Sequence, residues 1–349
     1  MLATTTESKS AATPSRSMPS LIRLQAIARS LPCMSDRLRL GVSSCLLGEE
    51  VRWNGGHSRA RYLTDVLGDF VEFVPVCPEV EVGMGVPRPT VRLVLSDGEV
   101  AMVDPKNGTD WTARMQTHSR ARVRGLADED LDGFVLKSKS PTCGMERVKL
   151  HREGTSPLTS GRGLFAAELM DRNPLLPVEE EGRLNDPGIR ESFVERLFAF
   201  RRLKDLFSPR WTVGQVMAFH AREKLLLRAH DPSGSRELGR LLADAASMPR
   251  ADFAAGYQDG FMTSMAKRAT VRKHVDVLQH SVGFLKKAND PVGRDEFFEA
   301  IEDYRAGLVP LVVPVTLLRH LSRRHDQAYL LDSSYLAPHP KELMLRNHV

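Results

Sequence analysis

The sequence predicts an α/β N-terminal domain with a mostly parallel sheet, followed by an all-α helical C-terminal domain. Three observations carry this. Between residues 37 and 170 short β-branched runs alternate with helical stretches, the order that builds parallel strands covered on both faces. The Pro-rich stretch DRNPLLPVEEEGRLNDPGIR, residues 171–190, then breaks the alternation. Beyond it apolar residues keep a three-four spacing, as Val271, Val275, Leu278, Val282 and Leu285 do. The chain has 349 residues, 42% hydrophobic and 27% charged, enough for two ordinary domains.

Leu38–Leu47 reads as a buried strand, His57–Leu67 as a short helix, and Phe70–Val76 as a second strand ending at Pro75 and Pro78. Val91–Leu95 and Glu99–Val103 flank Ser-Asp-Gly and predict a hairpin, since Asp-Gly suits a tight turn. Thr109–Leu126 is a basic helix with Asp110 near its positive end. Gly133–Lys137 is another strand, and Gly163–Met170 starts a helix. The helical half reads as Arg190–Leu206, Val213–Ala229, Ser235–Ala246, Ala251–Lys267, Val271–Lys287, Arg294–Ala306 and Pro314–Arg324, with Leu308–Val313 as an extended entry to the last helix. The domain reading is therefore a tail or upstream start over 1–36, an α/β domain over 37–175, a linker and bridging helix over 176–204, and a helical domain over 205–349. The tail is rich in Ser, Thr, Ala and Pro; Arg16, Arg23 and Arg29 give it a weak transit-peptide character, and Met34 offers an alternative start.

Several function classes are excluded. No run of eighteen apolar residues spans a membrane. Four scattered cysteines make no secreted disulfide framework, so a reducing cytoplasm is expected. No G-x-x-x-x-G-K-[ST] occurs and no G-x-G-x-x-G follows a strand, so nucleotide cofactors are not expected. Net charge is +5, and the excess lies in residues 201–349, with 23 Lys+Arg against 17 Asp+Glu. A polyanion is a reasonable partner for that half, an ordinary basic surface the plainer reading. Eight of the eleven histidines also fall there, but no H-E-x-x-H points to a metal.

Three cysteines share one context: Cys45 ends the first strand, Cys77 the second, and Cys143 follows a later one. In an open α/β sheet the carboxyl ends of strands line the ligand crevice, so three thiols can converge there. Soft thiolates suit zinc or an iron–sulfur cluster, whereas isolated cysteines are commonly small core residues. Glu79, Ser140 and Lys137 sit beside them with proton-bearing groups. Cys33 lies outside the predicted fold. A thiolate nucleophile with His57, His118 or His151 as base is a competing reading without a linking motif.

GVSSCLLGEEVRWNGG, PVCPEVEVGMGVPRP and KSKSPTCG, in this order and spacing, resemble the thiouracil desulfidase family over about residues 37–170. The resemblance implies a 4Fe–4S cluster held by Cys45, Cys77 and Cys143, and catalytic roles for Glu79 and Ser140. Trp53 stands where the family usually has Tyr. FHAREKLLLRAH, HVDVLQHSVGFLKK and YRAGLVPLVVPVTLLRHL resemble a second domain often fused to the first, an arrangement similar to the tRNA 4-thiouridine desulfidases. It implies tRNA as partner and 4-thiouridine in tRNA as substrate. Alternatives are a desulfidase of free thiouracil or thiopyrimidine nucleotides and, in another class, a non-catalytic iron–sulfur sensor or binding module. Arg52, Asn54 and Lys137 are candidates for gripping the substrate. Lys267, Arg268, Arg272 and Lys273 form one basic cluster, and Arg319, Arg323 and Arg324 another, as candidate phosphate contacts. Oligomeric state is left open by the sequence.

Overall fold

The computed structural model describes residues 37–348 apart from 97, 153, 208 and 286–289. The tail, its targeting reading and Cys33 lie outside the described residues. The first sheet holds β1 (Leu38–Ser43), β2 (Val71–Val76), β5 (Gly133–Leu136) and β8 (Val178–Glu180), ordered β2-β1-β5-β8 and parallel throughout. β1 is central, and five of its six residues are buried, as a strand covered on both faces must be. Gly41 on β1 has no alternative: a Cβ there would meet the Phe134 ring of β5 at 2.2 Å. The second sheet joins β3 (Arg92–Ser96), β4 (Glu99–Val103), β6 (Val148–Arg152) and β7 (Thr155–Gly161) in the order β4-β3-β6-β7. There β3 and β6 pair in parallel, and the outer pairs are antiparallel hairpins.

Four helices belong to this half: α1 (Arg61–Asp65), α2 (Pro78–Glu81), α3 (Thr112–Leu126) and α4 (Leu164–Arg172). The segment read as a linker supplies β8. Its acids Glu179 and Glu180 are buried because each has a partner: Glu179 meets Arg183 at 2.6 Å and Glu180 accepts from the Met145 amide at 2.8 Å. The predicted first helix shortens to Arg61–Asp65, and the β6–β7 hairpin adds a pair of strands that the sequence reading lacks.

Beyond β8 the chain is helical: α5 (Pro187–Leu206), α6 (Val213–His230), α7 (Pro232–Ala243), α8 (Arg250–Met265), α9 (Val271–Leu285), α10 (Pro291–Arg305), α11 (Val312–Arg324) and the short α12 (Ala328–Leu331). Caps fix their starts. Asp186 accepts from the Ile189 amide, with Pro187 in the first turn of α5; Thr212 and Gln215 form a reciprocal box on α6. Leu308–Val313, expected to be extended, is a turn leading straight into α11. Among the described residues no helix is long and apolar enough to cross a membrane.

Residues from Arg37 onward form one unit, and α5 joins its two halves. Phe193, Val194 and Leu197 of α5 pack with Leu38, Leu40 and Val135 of the sheet, while Ala199 and Leu203 enter the helical core around Tyr257 and Phe261. Leu343 and Leu345 return to the sheet-side core. Next to them Arg346, 6% exposed, donates to Glu195 (2.6 Å), Glu191 (3.3 Å) and the Tyr335 carbonyl (2.6 Å). His230 completes the group at 2.9 Å from Glu195. Removing Arg346 strands two buried carboxylates. We expect Arg346→Met to lose about 3–5 kcal/mol of stability, as broken buried pairs do, measured by urea unfolding. A loss within the scatter of exposed substitutions contradicts this account.

Candidate active site and metal centre

The site lies at the carboxyl edge of the parallel sheet. β1 runs into a short 3₁₀ turn, Ser44–Leu47, that carries Cys45; β2 ends at Cys77, which opens α2; β5 leads through Lys137 to the loop of Ser140 and Cys143. Strand direction alone thus brings the three cysteines to one edge. The Cys143 loop is packed against backbone: a Cβ on Gly163 would stand 2.4 Å from the Thr142 carbonyl oxygen.

The thiols influence one another. Burial pushes Cys45 up to about 11, Cys77 adds to that, and Lys137 and Arg52 act in opposition. Cys77 is raised, first by burial; the Glu79 charge adds to this and the Val80 backbone counters it. Cys143 lies well above the ordinary thiol range because it is enclosed, with Glu79, Cys45 and Cys77 contributing and a hydrogen bond to Ser43 opposing. Raised thiols are the reverse of what a thiolate nucleophile requires. The histidines offered for that chemistry are occupied or distant from it: His118 pairs with Glu81 at 3.1 Å, the Arg59 amide donates to His57 Nδ1, and His151 lies on β6 of the other sheet. Among the described residues no three His, Cys, Asp or Glu side chains stand close enough to share a single ion.

Glu79 sits two residues after Cys77 and is held from two sides. Arg88 Nε and Nη2 donate to Oε2 at 3.0 and 2.5 Å, and the Thr142 hydroxyl donates to Oε1 at 2.9 Å. The same Arg88, 4% exposed at its side chain, donates through Nη1 to the carbonyls of Val51 (2.9 Å) and Gly85 (3.0 Å). It therefore ties the loop after Cys45 to the loop after Cys77. Ser140 Oγ accepts from the amides of Thr142 (3.2 Å) and Cys143 (3.1 Å), which shapes the cysteine loop and leaves its own hydrogen free to donate.

Of the lesser candidates, Arg52 and Lys137 both act on the Cys45 charge. Lys137 Nζ also meets Glu181 Oε1 at 2.5 Å, and Glu181 accepts from the Ser138 amide at 2.7 Å. Asn54 is exposed and its Oδ1 closes a turn on the Gly56 amide at 3.2 Å. A polar cavity of about 240 Å³ borders this edge, lined in part by Ser58, Tyr62, Glu181 and Asn185. The Ser58 amide donates to the Cys45 carbonyl at 2.8 Å, and the buried Tyr62 hydroxyl has no hydrogen-bond partner among the described residues. Sequence reasoning misses Ser43, Arg88, Thr142 and Glu181. Arg88 does leave a trace: it is the one charge in GVPRP, fenced by Pro87 and Pro89 on a stiff loop.

The basic clusters of the helical half lie elsewhere and are largely engaged at helix ends. Lys267 meets Asp231 at 2.5 Å, Arg268 meets Asp186 at 3.4 Å, and Lys273 donates to the carbonyls of His230 (2.6 Å) and Arg268 (2.9 Å). Arg319 donates to the Leu336 carbonyl, and Arg324 meets Asp290 at 3.3 Å. Arg272 and Arg323 are exposed without an ion pair among the described residues.

Residues 40–181 match the family described as 2-thiouracil desulfurase, and residues 224–340 match a family of unknown function, DUF1722. The chain is 30% identical over 151 residues to the uncharacterized protein YbbK of Bacillus subtilis (strain 168), covering 42% of this chain and 97% of that one. It is 28% identical over 158 residues to the uncharacterized protein YbgA of Escherichia coli (strain K12), covering 45% and 94% respectively. Among solved structures it is similar to a 4Fe–4S-dependent thiouracil desulfidase, TudS, at 26% identity and a TM-score of 0.37, over 45% of this chain and 100% of that one. A fold with three cysteines at one sheet edge and these matches in sequence lead to one conclusion: the chain belongs to the 2-thiouracil desulfurase family, a family of desulfidase enzymes.

Proposed function

We propose that the protein is an iron–sulfur-dependent desulfidase that converts the thiocarbonyl of a thiolated uracil to a carbonyl, with 4-thiouridine in tRNA as substrate. The observation that carries the desulfidase reading is the meeting of Cys45, Cys77 and Cys143 at one edge, with Glu79 clamped beside two of them. The donor set fits a 4Fe–4S cluster. It is three soft thiols with no histidine or carboxylate among them, and they stand too far apart to share one ion. Their raised affinities for protons mean that loading the site displaces protons from all three.

When bound through three protein ligands, such a cluster supplies a Lewis-acidic iron with affinity for a thiocarbonyl sulfur. Overall the carbon loses its bond to sulfur and gains one to a water oxygen; sulfur departs as hydrosulfide, and no electrons are transferred. Glu79 Oε2 is fully engaged by Arg88, which leaves Oε1, shared with Thr142, to take a proton from the attacking water. Ser140, its oxygen already accepting two amides, donates its hydrogen to a ring acceptor. Arg52 and Lys137 supply positive charge on the Cys45 side. The basic balance of residues 201–349 supports a polymer-bound substrate over a free base.

Anaerobically reconstituted protein is expected to be brown and to remove the near-ultraviolet absorption of 4-thiouridine from tRNA. Cys77→Ala should lose colour and turnover together, whereas Glu79→Gln should keep the colour and lose at least a hundredfold in turnover, within the range of general acid–base catalysis. Full turnover by Glu79→Gln overturns its role. Action on free 2-thiouracil alone, with thiolated tRNA untouched, overturns the tRNA substrate and leaves the desulfidase.

Arg88→Ala leaves the Glu79 carboxylate half-buried without its partner. A loss of about 3 kcal/mol in stability is expected, with turnover falling further than in Arg88→Lys, which keeps the charge but not the two-pronged grip. Equal turnover in the two variants contradicts a positioning role.

A further inference from the structure

The helical half holds a groove of about 510 Å³ between α6, α7 and α9, none of whose lining residues belongs to the sheet edge. Its walls are two rows of basic side chains, in which Lys224, Arg228, Arg236 and Arg240 carry the charge and the buried His220 is held neutral by burial and by Lys224. His220, Lys224 and Arg228 follow one another by one turn along α6, and Arg236 and Arg240 do the same along α7. His280 of α9 closes one end. The floor is kept low by Ser235 and Gly239. His220 is 7% exposed; its Nδ1 is taken by the Tyr257 hydroxyl at 3.0 Å, and Nε2 faces Gly239, 4.0 Å from where a Cβ would stand. Among the described residues one acid pairs with these cations: Asp276 holds Arg228 at 2.7 Å. Lys224, Arg236 and Arg240 are exposed and have no ion pair among the described residues.

Like charges gathered in a concavity repel one another and focus a positive field, an arrangement that an anionic ligand relieves. We propose that this groove binds the phosphodiester backbone of RNA, through Lys224, Arg236 and Arg240 with His220 beneath them. The inference rests on the tRNA reading above and locates its contact surface outside the Lys267 and Arg319 clusters, most of whose members are engaged at helix ends. Chemistry favours a backbone over a free nucleotide. The lining holds no Phe, Tyr or Trp and a single exposed ring, His280, at one end, so charge outweighs base stacking in what the groove offers. Binding is therefore indifferent to sequence and steeply dependent on salt.

The test uses fluorescence anisotropy of unthiolated tRNA with the full-length, cluster-loaded protein. The triple variant Lys224→Gln, Arg236→Gln, Arg240→Gln is compared with Arg210→Gln, Lys341→Gln, two exposed cations of the helical half that belong to neither basic cluster. The groove variant should weaken tRNA binding at least tenfold and flatten the log–log salt slope by roughly two to three, about one for each phosphate no longer neutralised. The comparison variant should stay within threefold of the parent. Circular dichroism and Tm establish that both are folded. Parental affinity and slope in the groove variant overturn the proposal, as does uridine monophosphate binding as tightly as tRNA, or a parent that binds no tRNA at low salt. The assay needs no turnover, so the two readings fail separately. A parent that binds tRNA through the groove yet leaves 4-thiouridine intact sinks the substrate assignment and keeps the groove.

Discussion

The site depends on a directional constraint. β2, β1 and β5 are adjacent and parallel, so their carboxyl ends must emerge on the same side. Cys45, Cys77 and Cys143 are far apart in sequence and meet because each follows one of these strands. Antiparallel pairing of any one strand would send its cysteine to the opposite edge. The register is in turn protected by close packing at the centre, where the Phe134 ring occupies the space a side chain on Gly41 would need. A constraint that serves packing thus also sets where the three cysteines emerge.

On that edge, charge does the finer positioning. Arg88 spans the Cys45 and Cys77 loops and grips Glu79, while Thr142, adjacent to Cys143, holds the other carboxylate oxygen. One carboxylate therefore reports on the placement of all three loops. β8 adds a second link of the same kind, since Glu181 just beyond it binds Lys137. Both pairings join segments distant in sequence, which holds the loops in place without further regular structure.

Much of the fold was legible because periodicity is local. The strands leading to Cys45 and Cys77 and the seven long helices follow from buried runs and three-four spacing, with boundaries displaced by a few residues. β7 escaped because six of its seven residues are exposed and show no alternation. β8 escaped because two of its three residues are glutamates, whose burial depends on Arg183 and the Met145 amide. In the candidate site the motifs mark residues at the ends of strands. They do not reveal Ser43, Arg88, Thr142 or Glu181, whose significance lies in partners dozens of residues away. The groove on α6 and α7 escaped for a related reason: its two rows belong to different helices, and neither is a dense charge run in the sequence.

The return of Leu343 and Leu345 to the core of the first strand bears on biosynthesis. Those two side chains leave the ribosome about 300 residues after β1, roughly 15–60 s later at ordinary elongation rates. Until then the face of the sheet that they cover stays open to water and to other chains. The parallel sheet and α5 can assemble early, but the last two side chains of their shared core arrive late, so that core is completed only near the end of synthesis.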